Sequence, residues 1–187
     1  CPQCGEWNTL VEEIIKETKH SRTPSRGVGN QTTKPTALPD IEISSIARVS
    51  TTFGEIDRVL GGGIVPGALM LLGGDPGIGK STLLLQVSQK VADTVGTVLY
   101  ASGEESQLQL KIRAERLHIN SERLQVIADT DLDHILEQAD TMMPSLLVID
   151  SIQTMYTGDI DAAPGSVSQV RECTSRLLRF CKERNIP

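Results

Sequence analysis

The chain has 187 residues, of which 39% are hydrophobic and 22% charged, and its formal net charge is -6 at pH 7. This length and composition suit one packed domain with an appendage, and no apolar run is long enough to span a membrane. We therefore expect a cytoplasmic protein with no membrane partner. Its acidic charge gives no electrostatic argument for nucleic acid, and its four cysteines do not resemble a secreted disulfide framework.

The first residues carry two cysteines separated by two residues, Cys1 and Cys4. A zinc ribbon needs two such pairs, commonly about 15 to 20 residues apart. No second pair follows Cys4, so we interpret residues 1–15 as the second half of a zinc ribbon. Under this interpretation Cys1 and Cys4 bind Zn²⁺ only with an upstream pair in a longer parent chain. A redox pair and surface thiols without function are the alternatives.

Residues 16–40 are rich in Thr, Ser, Pro, Lys and Gly and contain almost no apolar side chains. This composition predicts a flexible linker. Its basic residues fit a solvated tether, or a segment that touches a phosphate backbone. Residues 41–187 follow as one domain, beginning with a short strand over 41–46 and a helix over 53–60 that is expected to bury Phe53, Ile56, Val59 and Leu60.

Strands and helices alternate through the rest of the chain. Apolar runs predict strands over 69–72, 97–101, 124–128 and 146–150, with helices over 80–92, from Ser106, from Thr130 and over 166–184. This alternation specifies an α/β fold with a mainly parallel sheet flanked by helices. Ligands of such sheets bind at the carboxyl ends of the strands.

The helices carry capping and packing signals. Ser106 and Gln109 have capping-box spacing, and Thr130 and Asp133 are expected to cap the next helix. The residues expected on buried helix faces are Leu108, Ile112 and Leu117; Leu132, Ile135, Leu136 and Ala139; and Val167, Val170, Leu177, Leu178 and Cys181. Cys173 is also expected in or near the core.

A phosphate-binding loop lies between the first of these strands and the helix over 80–92. The sequence Gly74-Asp75-Pro76-Gly77-Ile78-Gly79-Lys80-Ser81 matches G-x-x-x-x-G-K-[ST] at every fixed position. We predict that residues 74–82, through Thr82, bind the nucleotide. Lys80 is expected to reach the β- and γ-phosphates and Ser81 to place its hydroxyl on Mg²⁺. A chance match in a glycine-rich turn is the alternative.

Carboxylates follow two other predicted strands. Asp150 ends a run of four aliphatic residues, the pattern of an aspartate that holds Mg²⁺, although such an aspartate can also cap a turn. Glu104 and Glu105 follow the strand over 97–101 and could orient a water molecule against the γ-phosphate. We assign catalysis to Glu104 with Glu105 assisting. The alternative is a helix start decorated with acidic residues.

Five segments together resemble the DNA-repair ATPases of the bacterial RecA-like family. They cover the chain in order: residues 1–13, 60–67, 73–86, 100–106 and 148–154. The resemblance implies a RecA-like ATPase domain over 41–187, preceded by the partial zinc ribbon. It also implies a Mg²⁺-dependent, DNA-stimulated ATP hydrolase in which Glu104 activates water and Asp150 contacts Mg²⁺.

The resemblance further implies branch migration of recombination intermediates together with a strand-exchange recombinase. The implied partners are single-stranded or branched DNA and copies of the same chain in a ring, a homo-hexamer. The family's first cysteine pair, a later Lys-Asn-Arg-Phe-Gly segment and a carboxyl-terminal domain are not in this sequence. We therefore expect a fragment, truncated at its C-terminus, that binds ATP but hydrolyses it poorly. A replicative-helicase-like ATPase and a nucleotide-gated assembly module are the competing interpretations.

Overall fold

The computed structural model of this protein describes residues 35–40 and 48–187. Contacts divide the chain into two units, Cys1–Glu42 and Ile43–Pro187. In the first unit, Leu38–Asp40 form one turn of 3-10 helix at the end of the predicted linker. The zinc-ribbon half with Cys1 and Cys4, the linker up to residue 34 and the strand over 41–46 lie outside the described residues.

The second unit alternates helices and strands, as the sequence predicts. Its elements in chain order are α1 (Gly54–Val59), α2 (Lys80–Thr94), β1 (Val98–Ser102), α3 (Gln107–Arg116), β2 (Leu124–Ala128), α4 (Leu132–Met142), β3 (Leu146–Asp150) and α5 (Val167–Arg184). Among the described residues, no helix combines the length and the hydropathy of a membrane-spanning segment.

The three strands form one parallel sheet in the order β2-β1-β3. The central strand β1 is buried along its whole length, because it has a neighbour on each side and helices on both faces. Ser102, the last residue of β1, pairs with Ala128 of β2 and with Asp150 of β3. All three strands therefore end at the same level, and the loops that follow them start side by side.

The prediction of a strand over residues 69–72, the first of the four, is wrong. In the part of the chain that the structure describes, no β-ladder includes these residues, and their exposure runs from 38% at Met70 to 87% at Leu71. A strand requires a neighbouring backbone to complete its hydrogen bonds. Beside the outer edge of β3, the described chain supplies the carbonyl of Pro187, which accepts a hydrogen bond from the Leu147 amide at 2.9 Å. Among the described residues, none forms a strand beside residues 69–72.

Alternation along the strands gives the sheet two different faces. Tyr100 and Val148 pack with Leu85 and Val91 of α2 and with Leu110 of α3. The intervening strand residues point to the opposite face, where they pack against α4 and α5 in a second cluster. This cluster includes Ala101, Leu147 and Ile149 of the strands and Leu132, Ile135, Cys173 and Leu177 of the helices. Because strand side chains alternate with a period of two, residues 98, 100 and 102 share the α2 face with residues 146, 148 and 150.

Several predicted helix faces are wrong. The side chains of Val59, Leu108, Ile112, Val167 and Leu178 are exposed by 82%, 70%, 59%, 86% and 39%. In α5 the buried stripe is made by residues four apart, Gln169, Cys173, Leu177 and Cys181, so a polar glutamine takes the place expected for Val167. Sequence hydrophobicity does not reveal this exchange, because Gln169 is buried through its hydrogen bonds to the loop before the helix.

The helix caps are confirmed in part. Ser106 and Gln109 form the predicted capping box of α3. At α4 the cap is Asp131, whose side chain accepts a hydrogen bond from the Asp133 amide, so the prediction of Thr130 and Asp133 as caps is wrong. Asp131 is preferred because its short carboxylate reaches an unpaired amide of the first helical turn.

The difference in burial between a leucine of α4 and a leucine of α3 can be tested by replacing each with alanine in a separate variant. Leu132 is 0% exposed and Leu108 is 70% exposed. We expect Leu132→Ala to lower the free energy of unfolding by about 2 to 5 kcal/mol, because it leaves a cavity in the core. Leu108→Ala should change it by about 0.5 kcal/mol or less. Urea unfolding followed by circular dichroism measures both, and equal costs would contradict the assigned packing.

Candidate functional site

The phosphate-binding loop leads directly into α2, as its sequence predicts. Gly79 is the N-cap residue and has φ +101, a backbone conformation that L side chains rarely adopt. It offers no side-chain cap, and the helical hydrogen bonds begin with Leu83 N donating to Gly79 O at 2.9 Å. The amides of Lys80, Ser81 and Thr82 thus lack intrahelical acceptors, so this helix start favours a bound anion.

Lys80 folds back over the loop. Its ammonium donates to the carbonyl oxygens of Gly74 at 2.7 Å and Asp75 at 2.8 Å. Residues 74–79 of the loop are exposed, with Ile78 at the tip 70% exposed, and Lys80 is half-buried. The positive charge therefore lies within the loop itself, where a phosphate group would meet both the ammonium and the amides.

The packing of α2 brings its first turn toward the carboxyl ends of the strands. Residues 95–97 alone connect the end of α2 to β1, and the Arg123 side chain, just before β2, donates to the carbonyl of Asp93. The end of α2 thus lies beside the starts of the strands. Since α2 has 15 residues, it rises about 22 Å, whereas a five-residue strand spans about 16 Å. Its start is therefore directed toward the end of the sheet at which the strands finish.

Glu104 and Asp150 are brought together by the pairing of β1 with β3. The Gly103 amide donates to the Asp150 carbonyl at 2.9 Å, and the Ser151 hydroxyl donates to Glu104 Oε1 at 2.6 Å. A side chain at Gly103 would collide with Thr154, whose Cβ would lie 2.8 Å from the added Cβ. The turns after β1 and β3 are consequently packed against each other with no room for a larger residue.

Asp150 also accepts a hydrogen bond from a buried side chain of the central strand. The buried Tyr100 donates its hydroxyl to Asp150 Oδ2 at 2.6 Å. Burial raises the pKa of Tyr100 above its ordinary value, and the hydrogen bond to the Asp150 carboxylate raises it further. Tyr100 therefore stays protonated and acts as the donor. Sequence reasoning missed this contact because it depends on the register of β1 and β3, although a buried tyrosine usually signals a hydrogen-bond partner.

The adjacent glutamate, Glu105, has a different environment. Its carboxylate forms an ion pair with Arg113 of α3 at 2.7 Å, and its amide donates to the Ser102 hydroxyl at 3.0 Å. Both side chains of the ion pair are about one-quarter exposed, at 26% for Arg113 and 24% for Glu105. These contacts attach Glu105 to its own strand and helix, whereas Glu104 contacts the turn after β3.

A cavity of 330 Å³ opens between the ends of β1 and β2. Its lining includes Glu104, Glu105 and Asp129. At its rim His134 Nδ1 lies 2.6 Å from Asp129 Oδ2. The hydrogen bond from His134 lowers the pKa of Asp129, and the same bond raises the pKa of His134. The lining of this cavity thus contributes three carboxylates, of which Glu105 is paired with an arginine and Asp129 with a histidine.

The oxygen donors present fit Mg²⁺ better than a transition metal. Among the described residues, no group of three or more His, Cys, Asp and Glu side chains could hold a metal ion. Mg²⁺ does not need one, because it is commonly bound by one or two protein oxygens together with nucleotide phosphates. Within the described part, Asp150 Oδ1 accepts no hydrogen bond, and its side chain shares the α2 face of the sheet.

Not every predicted residue is brought into contact. Glu104 meets the turn after Asp150, but in the described chain no hydrogen bond or ion pair joins Lys80 or Ser81 to either carboxylate. Two arginines of α5 form ion pairs inside the domain: Arg176 pairs with Asp133 and Asp159, and Arg184 pairs with Asp140. Cys173 and Cys181 are buried, and burial raises the pKa of both thiols.

Comparison with known proteins gives one family and a consistent set of relatives. A family described as an AAA domain matches residues 32–187. The DNA repair protein RadA of Bacillus subtilis is 53% identical over the whole chain, and that of Listeria monocytogenes is 50% identical. The same-named protein of Streptococcus pyogenes serotype M1 is 48% identical. The chain spans 41%, 40% and 40% of the lengths of these relatives.

The close packing of Gly103 gives a direct test of the site's geometry. Gly103→Ala should lower the free energy of unfolding by about 1 to 3 kcal/mol, because its methyl group overlaps Thr154. Gly158→Ala is the matched control, since a Cβ there meets nothing within 4 Å. Thermal and chemical unfolding of both variants measures the difference. A Gly103→Ala protein as stable as Gly158→Ala would contradict the described packing of the two turns.

Proposed function

Because this chain belongs to the AAA domain family, we propose that it binds ATP and hydrolyses it in DNA repair. The observation that carries the proposal is the meeting of Glu104 with the turn after Asp150, at the strand ends toward which the start of α2 is directed. An anion-binding helix start and two carboxylates are the parts that phosphoryl transfer to water requires. The names of the relatives support the link to DNA repair.

The loop residues bind the triphosphate of ATP. The amides at the start of α2 donate to phosphate oxygens, and Lys80 exchanges the carbonyls of Gly74 and Asp75 for the β- and γ-phosphates. Gly77 and Gly79 let the backbone approach the phosphates closely, while Asp75, Pro76 and Ile78 complete the loop. Ser81 and Thr82 contribute the first helical turn.

Asp150 and Ser81 are the residues that hold Mg²⁺ with the nucleotide. Bound Mg²⁺ supplies positive charge that offsets the charge developing on the phosphates. Both residues present oxygen, the donor that this cation prefers. Tyr100 already occupies one oxygen of Asp150, so the second is the one left for the metal.

Glu104 is the catalytic residue that orients the attacking water. It lies at the end of β1, and its contact to Ser151 is a single hydrogen bond that a water molecule could replace. Glu105 assists by fixing the chain through its ion pair with Arg113. This division of roles follows from the different partners of the two carboxylates.

The remaining parts of the proposal concern the longer protein. We infer that it acts in the bacterial cytoplasm on single-stranded or branched DNA, drives branch migration with a strand-exchange recombinase, and forms a homo-hexameric ring. In that protein, Cys1 and Cys4 bind Zn²⁺ together with a second pair of ligands, which completes a zinc ribbon. The motifs of the sequence and the 53% identity to a DNA repair protein support these assignments.

Two substitutions separate binding of ATP from its hydrolysis. Glu104→Gln should leave ATP affinity nearly unchanged and lower kcat about 100-fold or more, because water loses its orienting base. Lys80→Ala should weaken ATP binding itself. Fluorescent-nucleotide titration measures the ATP affinity, and phosphate release measures kcat. If turnover by this chain is too slow to measure, the longer protein is used for both variants. Glu105→Gln serves as the neighbouring control with the smaller loss, and an unchanged kcat in Glu104→Gln would contradict the assignment.

The link to DNA has its own test. Single-stranded DNA should raise the ATPase rate of the longer protein, and the stimulation should fall as salt rises, because phosphate contacts release counterions. Steady-state ATP hydrolysis with and without DNA, at two salt concentrations, measures this effect. A rate that DNA does not change would favour a nucleotide-gated assembly module over a DNA-driven motor.

A further inference from the structure

The carboxylate of Asp150 is held asymmetrically. Its Oδ2 accepts a hydrogen bond of 2.6 Å from the Tyr100 hydroxyl, while within the described residues Oδ1 accepts none. A hydrogen bond to a charged acceptor is short and strong. One oxygen of the carboxylate is therefore fixed, and the rotation that would exchange the two oxygens breaks this bond.

Tyr100 is itself held rigidly. It is 1% exposed, lies at the middle of the central strand β1 and pairs with Val148 of β3. Its ring packs in the same cluster as Leu85 and Val91 of α2. Because the ring has neighbours from the sheet and from the helix that carries the phosphate-binding loop, its hydroxyl has a fixed position relative to both.

We propose that Tyr100 is a positioning residue for the magnesium-binding carboxylate: its hydroxyl holds Asp150 Oδ2 and leaves Oδ1 as the oxygen that binds Mg²⁺. This inference rests on the proposed function, in which Asp150 is a Mg²⁺ ligand. Groups that orient a metal ligand without touching the metal typically change metal affinity by about 10- to 100-fold. Tyr100 has the geometry for such a role, because it contacts the ligand from the side opposite to solvent.

A purely structural role for the hydroxyl makes a different prediction. A buried tyrosine needs a hydrogen-bond partner whatever the function, and loss of that bond alone would lower stability without altering Mg²⁺ dependence. The measurement must therefore report Mg²⁺ affinity separately from folding and from the affinity for metal-free nucleotide.

The test compares Tyr100→Phe with Tyr156→Phe. Both variants lose one hydroxyl, and the Tyr156 hydroxyl forms no hydrogen bond in the described part of the chain. The probe is a fluorescent ATP analogue, bound first in EDTA and then titrated with MgCl₂. We expect the Mg²⁺ concentration at half-saturation to rise about 10-fold in Tyr100→Phe. It should stay within about two-fold of the unaltered protein in Tyr156→Phe, and binding in EDTA should be equal in all three proteins.

Each other outcome is decisive. A folded Tyr100→Phe protein with unchanged Mg²⁺ half-saturation overturns the inference and leaves the proposed function standing. Equal weakening with and without Mg²⁺ overturns it as well. If the unaltered protein shows no Mg²⁺-dependent nucleotide binding, the proposed function fails and this inference fails with it.

A second measurement applies if Tyr100→Phe does not fold. In the unaltered protein, the hydroxyl proton resonance of Tyr100 should shift when Mg²⁺ and nucleotide are added, and it should also move in Asp150→Asn, where the acceptor loses its charge. A resonance that responds to Asp150→Asn but not to Mg²⁺ with nucleotide would show a structural bond alone and overturn the inference.

Discussion

The parallel pairing of β1 with both β2 and β3 is the constraint on which the site depends. Ser102 is level with Ala128 and with Asp150, so the residues that follow all three strands leave the sheet at one edge. Glu104 is 46 positions before Asp150 in the sequence, yet the pairing brings it to the Ser151 hydroxyl. A shift of one residue in the register of β3 against β1 would turn Asp150 to the other face of the sheet and separate these groups.

The division of the sheet into two faces explains how packing and chemistry share the same strands. One face packs against α2, the helix that starts with the phosphate-binding loop, and Tyr100 lies in that cluster. The other face is filled by α4 and α5. Since Asp150 follows Val148 at a spacing of two, it points to the α2 face. The core residue Tyr100 can therefore contact a carboxylate at the sheet edge, which joins the hydrophobic core directly to the proposed metal site.

Buried polar side chains fix the loops around this framework. Gln169 accepts from the Thr157 amide at 3.1 Å and donates to the carbonyls of Thr157 at 3.2 Å and Ala162 at 2.9 Å. Gln169 is 1% exposed. These hydrogen bonds allow it to lie in the buried stripe of α5, because a buried amide group needs hydrogen-bond partners. The loop from β3 to α5 is thus held by the helix that follows it.

The sequence by itself determined the α/β class, three of the strands and the start of α2 directly after the glycine-rich loop. Those signals are local: a fixed glycine spacing, a run of aliphatic residues or a capping box depends on neighbours within a few positions. Tertiary structure alone decided that residues 69–72 have no partner strand within the described part of the chain, that Gln169 replaces Val167 in the core and that Tyr100 binds Asp150. Each of these depends on residues distant in the chain, because strand register and side-chain burial are set by which backbone or helix lies alongside.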